Sequence, residues 1–233
     1  GLGTGSTAAW MVRCLAARVQ AEGLQVIGVP TSTRTADLAR DLGLTITTLE
    51  EAKWLDLTID GADEFDQAFN LIKGGGAALL QEKIVAAASD QMIVITDAAK
   101  EVANLGAFPL PVEVIRFGWT TTQVLIEEML LTQDVFARDV TLRMAKDGPL
   151  LTDEGNYILD LHLKRIGHPQ RLALALNQIP GVVENGLFIN LCDRVIIGHT
   201  DGRVVVRDNH DGSVDASKAA VAPLDNIFAD LGE

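Results

Sequence analysis

Cysteine is almost absent from this chain: Cys14 and Cys192 are the only two in 233 residues, and no C-x-x-C spacing occurs. That excludes a disulfide framework and points to a reducing compartment. Both cysteines read as packing residues. Basic residues are also scarce, with Lys and Arg numbering 19 against 32 Asp and Glu, for a net charge of −13. No basic patch or stripe stands out, so nucleic acid is excluded as a partner. A small anion is still allowed, because screening beyond about 8 Å leaves a local positive site in control. No run of about 18 apolar residues occurs, so no membrane partner is expected.

Several catalytic signatures are missing too. The four histidines, at positions 162, 168, 199 and 210, are scattered, and no H-E-x-x-H occurs; no metal site and no cofactor are expected. There is no G-x-S-x-G for a hydrolase triad. The glycine loop lacks the Gly-Lys-Ser/Thr of a nucleotide-triphosphate loop. It also lacks the third glycine of the dinucleotide fingerprint, and the second strand ends Pro30-Thr31-Ser32 with no acid.

What is present is ordinary globular composition, 48% hydrophobic and 22% charged. The length is about 1.5 times a typical domain of roughly 150 residues, enough for one large α/β domain with a smaller insertion. Helical spacing is read at 6–21, 33–42 and 77–89, and strands at 24–29, 44–49, 55–60 and 92–96. That alternation implies right-handed crossovers and a mostly parallel sheet. The pattern changes after Phe108. FPLPVEVI carries Pro109 and Pro111 and reads as an edge segment or a domain crossing. Helices near 120–131 and 169–178 with strands near 140–143 and 157–162 then fit a smaller α+β domain, and strands near 187–190, 194–197 and 203–207 could return to the first. Beyond Arg207 come six acids and one lysine, read as a loosely packed solvated extension. The chain opens GLGTGSTAAW without Met or a leading strand, which reads as a trimmed N-terminus whose glycine loop has nothing to hang from.

Five polar or glycine-rich loops fall where the strands' carboxyl ends meet one rim, the place where open α/β sheets bind ligands. Gly3-Thr4-Gly5-Ser6-Thr7 opens a helix and makes an anion cradle from backbone N–H groups and hydroxyls. Thr31-Ser32-Thr33, Asp60-Gly61-Ala62-Asp63-Glu64, Lys73-Gly74-Gly75-Gly76 and Asp97 to Lys100 complete the set. Taken singly, each has a plainer reading: a tight turn, an Asp-Gly turn, a hinge, a surface lysine. Glu82 is sharper. On a helical wheel over 77–89 it falls among Ala78, Leu79, Val85, Ala86 and Ser89, while Gln81 and Lys83 point elsewhere. A carboxylate on such a face has its pKa raised, which suits a general base near neutrality.

Together, GTGSTA, DGADE, KGGGAALxxEK, FPLPVEVI and GVVxxGLF, in that order from Gly1 to about Arg207, resemble the type A ribose-5-phosphate isomerase family. The resemblance implies an α/β fold: a Rossmann-like, mostly parallel sheet domain with an inserted, smaller ferredoxin-like α+β domain. The expected division is 1–111 with 188–207 for the first, 112–187 for the second, and 208–233 for the acidic extension; the family's leading helix and strand are expected to be missing. The resemblance also implies a metal-independent aldose–ketose isomerase of the pentose phosphate pathway. A homodimer or homotetramer is expected, cytoplasmic, or in a plastid stroma if a transit segment has been removed. It carries substrate binding onto Thr4, Gly5, Ser6, Thr7, Asp60, Gly61, Ala62, Asp63, Lys73, Gly74, Gly75, Gly76 and Lys100, and proton acceptance onto Glu82. Lys73 with the Gly74–Gly76 amides is then expected to stabilise an oxyanion, and Asp60 and Asp63 to move hydroxyl protons. A non-catalytic sugar-phosphate sensor and an amino-sugar-phosphate isomerase or deaminase are the alternatives.

Overall fold

The structure is a computed structural model and describes residues 1–218. Its larger sheet is assembled around Leu2. Leu2 bridges Pro30 on one side and Ile59 on the other, both in parallel, with Leu2 N donating to Val29 O at 2.8 Å and Gly3 N to Ile59 O at 3.0 Å. This corrects the expectation of a loop without support: Leu2 is itself bridged to two parallel neighbours at the centre of the sheet. Outward from Leu2 on one side lie strands Ile27–Gly28 and Thr45–Ile46, paired in parallel. On the other lie Thr58–Asp60, Met92–Asp97 and Arg194–Gly198, also parallel. Arg203–Asp208 and Val214–Lys218 close that edge antiparallel. The expected loose extension from 208 is therefore corrected as far as Lys218, because backbone pairing with Arg203–Arg207 holds it as an edge strand; 219–233 lie outside the described residues.

Helix Ser6–Glu22 turns Ala8, Val12 and Ala16, spaced by four, onto one buried face, and stops at Gly23, whose φ of 68° is left-handed. Helix Thr33–Asp41 is capped by Ser32, whose hydroxyl accepts from Thr35 N. Leu2, Val12, Ala16, Ala39 and Leu44 pack these helices on the sheet. A second core, including Phe65, Leu71, Met92, Val94, Phe188 and Val195, lies under the site.

The smaller sheet is antiparallel, with strands Val182–Asn185, Leu110–Val114, Tyr157–His162 and Asp139–Leu142 in that spatial order. With helices Trp119–Leu130 and Pro169–Leu176 the chain order is βαββαβ, the ferredoxin-like arrangement. Leu110–Val114 is fully buried and lies between two neighbours, which corrects its reading as an edge. Pro111 is tolerated there for a specific reason. Its carbonyl accepts from Gly186 N at 2.8 Å. A residue's N–H side faces the same way as its carbonyl, so the missing donor faces the chain just past the Val182–Asn185 strand rather than a ladder partner. Among the described residues no helix is long and apolar enough to cross a membrane. Cys192 is buried, but Cys14 is exposed, so packing describes the first and not the second.

Candidate active site

One cleft at the carboxyl ends of the parallel strands is lined by Thr4, Gly5, Ser6, Thr7, Gly61, Ala62, Asp63, Lys73, Gly74, Gly76, Glu82 and Lys100. Four segments far apart in sequence thus meet there. Two predicted residues are not part of the lining: Asp60, which is fully buried, and Gly75, which is exposed.

The cradle is built by Gly5, whose φ of 109° favours glycine and which precedes a helix with no side-chain cap and no acid in its first turn. The first N–H groups of Ser6–Glu22 are thus left without intrahelical acceptors and carry the positive end of the helix dipole. Lys100 reaches the same cleft from the turn Ala98–Lys100, which Asp97 caps by accepting from Ala99 N at 2.8 Å. Thr4 does something other than bind through its hydroxyl. Its Oγ1 is engaged with Thr31, Ser32 and Thr35 at 2.8, 2.8 and 3.2 Å. Its backbone N donates to Asp60 Oδ1 at 3.1 Å, joined there by Gly61 N at 2.7 Å.

Beneath the cleft sits a buried charge cluster. Lys73 Nζ donates to Glu82 Oε1 at 3.0 Å and to Gly61 O at 2.6 Å. It also lies 3.0 Å from Asp60 Oδ2, an ion contact whose geometry falls short of a hydrogen bond. Lys73 is held from behind by Gly186, with Lys73 N donating to Gly186 O at 2.9 Å, and its ammonium lies 5.4 Å from the centre of the Phe188 ring. Burial opposes its charge, but Asp60 and Glu82 outweigh burial, so its pKa is raised and it stays an ammonium. Glu82 is pushed up to about 8, first by burial and then by the Asp60 charge, with Lys73 pulling the other way. Glu82 Oε2 is buried and accepts no hydrogen bond from the protein, and the neighbouring Asp60 carboxylate favours a proton on Glu82. The wheel face is as drawn: Leu79, Glu82, Val85 and Ala86 are the buried residues of helix Leu79–Ala87.

The glycine loop is held open by two neighbours. Gly75 N donates to Asp63 Oδ2 at 2.7 Å, and a Cβ at Gly75 would meet that carboxylate at 2.6 Å. Arg143, from the smaller sheet, donates to Gly74 O at 2.8 Å and Gly75 O at 3.3 Å. Sequence reasoning missed Arg143 and Gly186. The second stands inside the GVVxxGLF run, so its signal was present; the first carried none.

A Rossmann-like sheet, an anion cradle, and a buried carboxylate with a free oxygen beside a lysine define an acid–base enzyme for a small phosphorylated substrate. Among the described residues no group of three or more His, Cys, Asp or Glu is placed to hold a metal ion. The family model for ribose 5-phosphate isomerase A (phosphoriboisomerase A) matches residues 27–202. The ribose-5-phosphate isomerase A of Cereibacter sphaeroides is 72% identical over 233 residues, covering 100% of this chain and 89% of that one. The protein of the same name from Ruegeria pomeroyi is 66% identical over the same shares. A D-ribose-5-phosphate isomerase solved in complex with phospho-erythronic acid matches with a TM-score of 0.82 at 40% identity, over 89% of each chain. Ribose 5-phosphate isomerase A from Methanocaldococcus jannaschii matches with a TM-score of 0.79 at 37% identity, over 94% of this chain and 89% of that one. The chain belongs to the ribose 5-phosphate isomerase A family.

Proposed function

We propose that this chain interconverts D-ribose 5-phosphate and D-ribulose 5-phosphate in the non-oxidative pentose phosphate pathway, with Glu82 as the single base. The observation that carries the base assignment is the unpartnered, buried Oε2 of Glu82, a cleft-lining residue whose other oxygen is fixed by Lys73. The reaction moves a proton between C2 and C1 through a cis-enediolate, which one carboxylate on one face can do in both directions. General-base catalysis supplies roughly 10²–10⁴ in rate, so oxyanion stabilisation must supply more.

The geometry supports a narrow reading of that second task. Lys73 donates to Glu82 and Gly61 and makes an ion contact with Asp60, which supports a part in holding the base. Gly75 N–H is taken by Asp63. The amides of Gly74 and Gly76 carry no acceptor among the described residues and are the oxyanion donors, each worth about 2.7–4 kcal/mol by analogy with such sites. Asp63 lines the cleft and Asp60 does not, so Asp63 moves the hydroxyl protons that open the sugar ring, while Asp60 orients Lys73. Ser6, Thr7 and Lys100 hold the phosphate. A relative was solved with phospho-erythronic acid, a phosphorylated four-carbon acid whose planar carboxylate resembles an enediolate, and this cleft offers a cradle for its phosphate and amides for its carboxylate.

Assembly into a homodimer or homotetramer is supported by apolar side chains left exposed on the smaller domain, among them Leu131, Phe136 and Leu174 at 71%, 77% and 64%. A single mass equal to the chain's in solution light scattering would contradict it. The Cereibacter and Ruegeria relatives are bacteria, which supports a cytoplasmic site and lends nothing to a plastid one.

The test is ribulose 5-phosphate formation from ribose 5-phosphate with EDTA present. Turnover is expected. Binding of ribose 5-phosphate without turnover would instead favour the sensor, and ammonia release from glucosamine 6-phosphate the deaminase; neither alternative is favoured by the family match.

A further inference from the structure

The smaller domain sends one side chain into the catalytic loop. Arg143 follows strand Asp139–Leu142, is 14% exposed, and is fixed by a two-pronged pair with Asp160 on the neighbouring strand, Nε donating to Oδ2 at 2.8 Å and Nη2 to Oδ1. Its remaining nitrogen, Nη1, donates to two consecutive carbonyls of the glycine loop, Gly74 O at 2.8 Å and Gly75 O at 3.3 Å. In a trans peptide the N–H of the next residue points opposite to the carbonyl. A grip on the Gly74 carbonyl therefore turns Gly75 N–H the other way, and that N–H is found on Asp63. Asp63 lines the cleft, so the side away from Arg143 is the cleft side. By the same geometry a grip on the Gly75 carbonyl turns Gly76 N–H into the cleft, where Gly76 is a lining residue and its N–H meets no acceptor among the described residues.

The loop needs such a hold. Gly74 has a φ of 103°, and Ala77, which bears a Cβ, has a φ of 62°. Three glycines in a row leave these peptide planes free to rotate, and an oxyanion donor acts only when it is already aimed. A guanidinium locked by its own carboxylate is a rigid fork that a lysine cannot reproduce.

We propose that Arg143, fixed by Asp160, is a positioning residue for the isomerisation: it sets the Gly74–Gly75 and Gly75–Gly76 peptide planes so that Gly76 N–H meets the enediolate oxygen and Asp63 is held at the cleft. The smaller domain thereby supports a cleft whose lining residues all belong to the other domain. The proposal rests on the isomerase reading given above.

The experiment compares wild type with Arg143→Lys and Asp160→Asn, measuring kcat, KM, thermal midpoint, and inhibition by phospho-erythronic acid and by inorganic phosphate. Arg143→Lys is expected to lower kcat at least tenfold with KM for ribose 5-phosphate within threefold. Its Ki for phospho-erythronic acid should rise with the loss in kcat, while its Ki for inorganic phosphate, which needs only the cradle, stays the same. Asp160→Asn should move the same quantities in the same direction by less. The proposal is overturned if Arg143→Lys keeps kcat within twofold, or if both Ki values and KM rise together with a fallen thermal midpoint, the mark of a merely structural contact. Wild-type turnover is measured alongside, so a failure of the isomerase reading would show in its absence and be separate from either result.

Discussion

Lys73 Nζ lies 3.0 Å from Glu82 Oε1, and both side chains are buried beneath the cleft. Each sets the other's state. The carboxylates hold Lys73 charged against burial, and the ammonium restrains a Glu82 pKa that burial and Asp60 have lifted to about 8. Glu82 works as a base only when ionised, so kcat/KM is expected to climb with pH along a limb centred near about 8. Lys73→Met removes the one influence pulling that pKa down and should move the limb to higher pH. A limb centred below pH 6 would show that Glu82 is not the titrating base.

The same shift makes a statement about stability. Between its ordinary value of 4.5 and about 8, Glu82 binds more protons folded than unfolded. Wild-type stability therefore falls as pH rises through that window, and Glu82→Gln carries no such slope. The thermal midpoint of Glu82→Gln relative to wild type is expected to improve from pH 5 up to about pH 8 and to level off above it. A constant difference would mean the pKa is not raised.

Lys100 lines the same cleft as Ser6 and Thr7 and is not one of the Lys73–Asp60–Glu82 ion contacts. Loss of a charge-assisted contact costs about 1.5–3 kcal/mol, so Lys100→Ala should raise KM for ribose 5-phosphate by about tenfold or more and leave kcat within a few-fold. An unchanged KM would place the phosphate elsewhere.

Gly186 backs Lys73 so closely that a Cβ there would stand 2.3 Å from Lys73 O and 2.9 Å from Pro111 Cδ. Neither neighbour is the end of a flexible side chain, so the backbone must shift. Gly186→Ala is expected to cost about 1–3 kcal/mol and to lower kcat through displacement of Lys73. A variant with wild-type melting and turnover would contradict the contact.

The sequence carried the cleft well because its parts are local. Gly5 and Gly74 take backbone angles that favour glycine, and Glu82 announces its burial through the apolar residues one turn to either side. Pro111 misled because the rule against proline in a central strand concerns the donor, and whether a donor is needed depends on where the neighbouring strand ends. The bridging of Leu2 was invisible because its partners, Pro30 and Ile59, lie far along the chain. Arg143 lies 69 residues from the carbonyl it holds, and a lone arginine at a strand end has no pattern to set it apart. The edge strand Val214–Lys218 was hidden by acidic residues around it, although its alternate positions need only pair with Arg203–Arg207, not enter a core.

The most direct test is the turnover of ribose 5-phosphate by wild type and by Glu82→Gln, each with EDTA present. Removing the base should lower kcat by roughly 10²–10⁴, with KM within threefold, because the phosphate cradle is untouched. A Glu82→Gln enzyme that keeps a near-normal kcat would leave Glu82 a structural residue and return the proton transfer to another group.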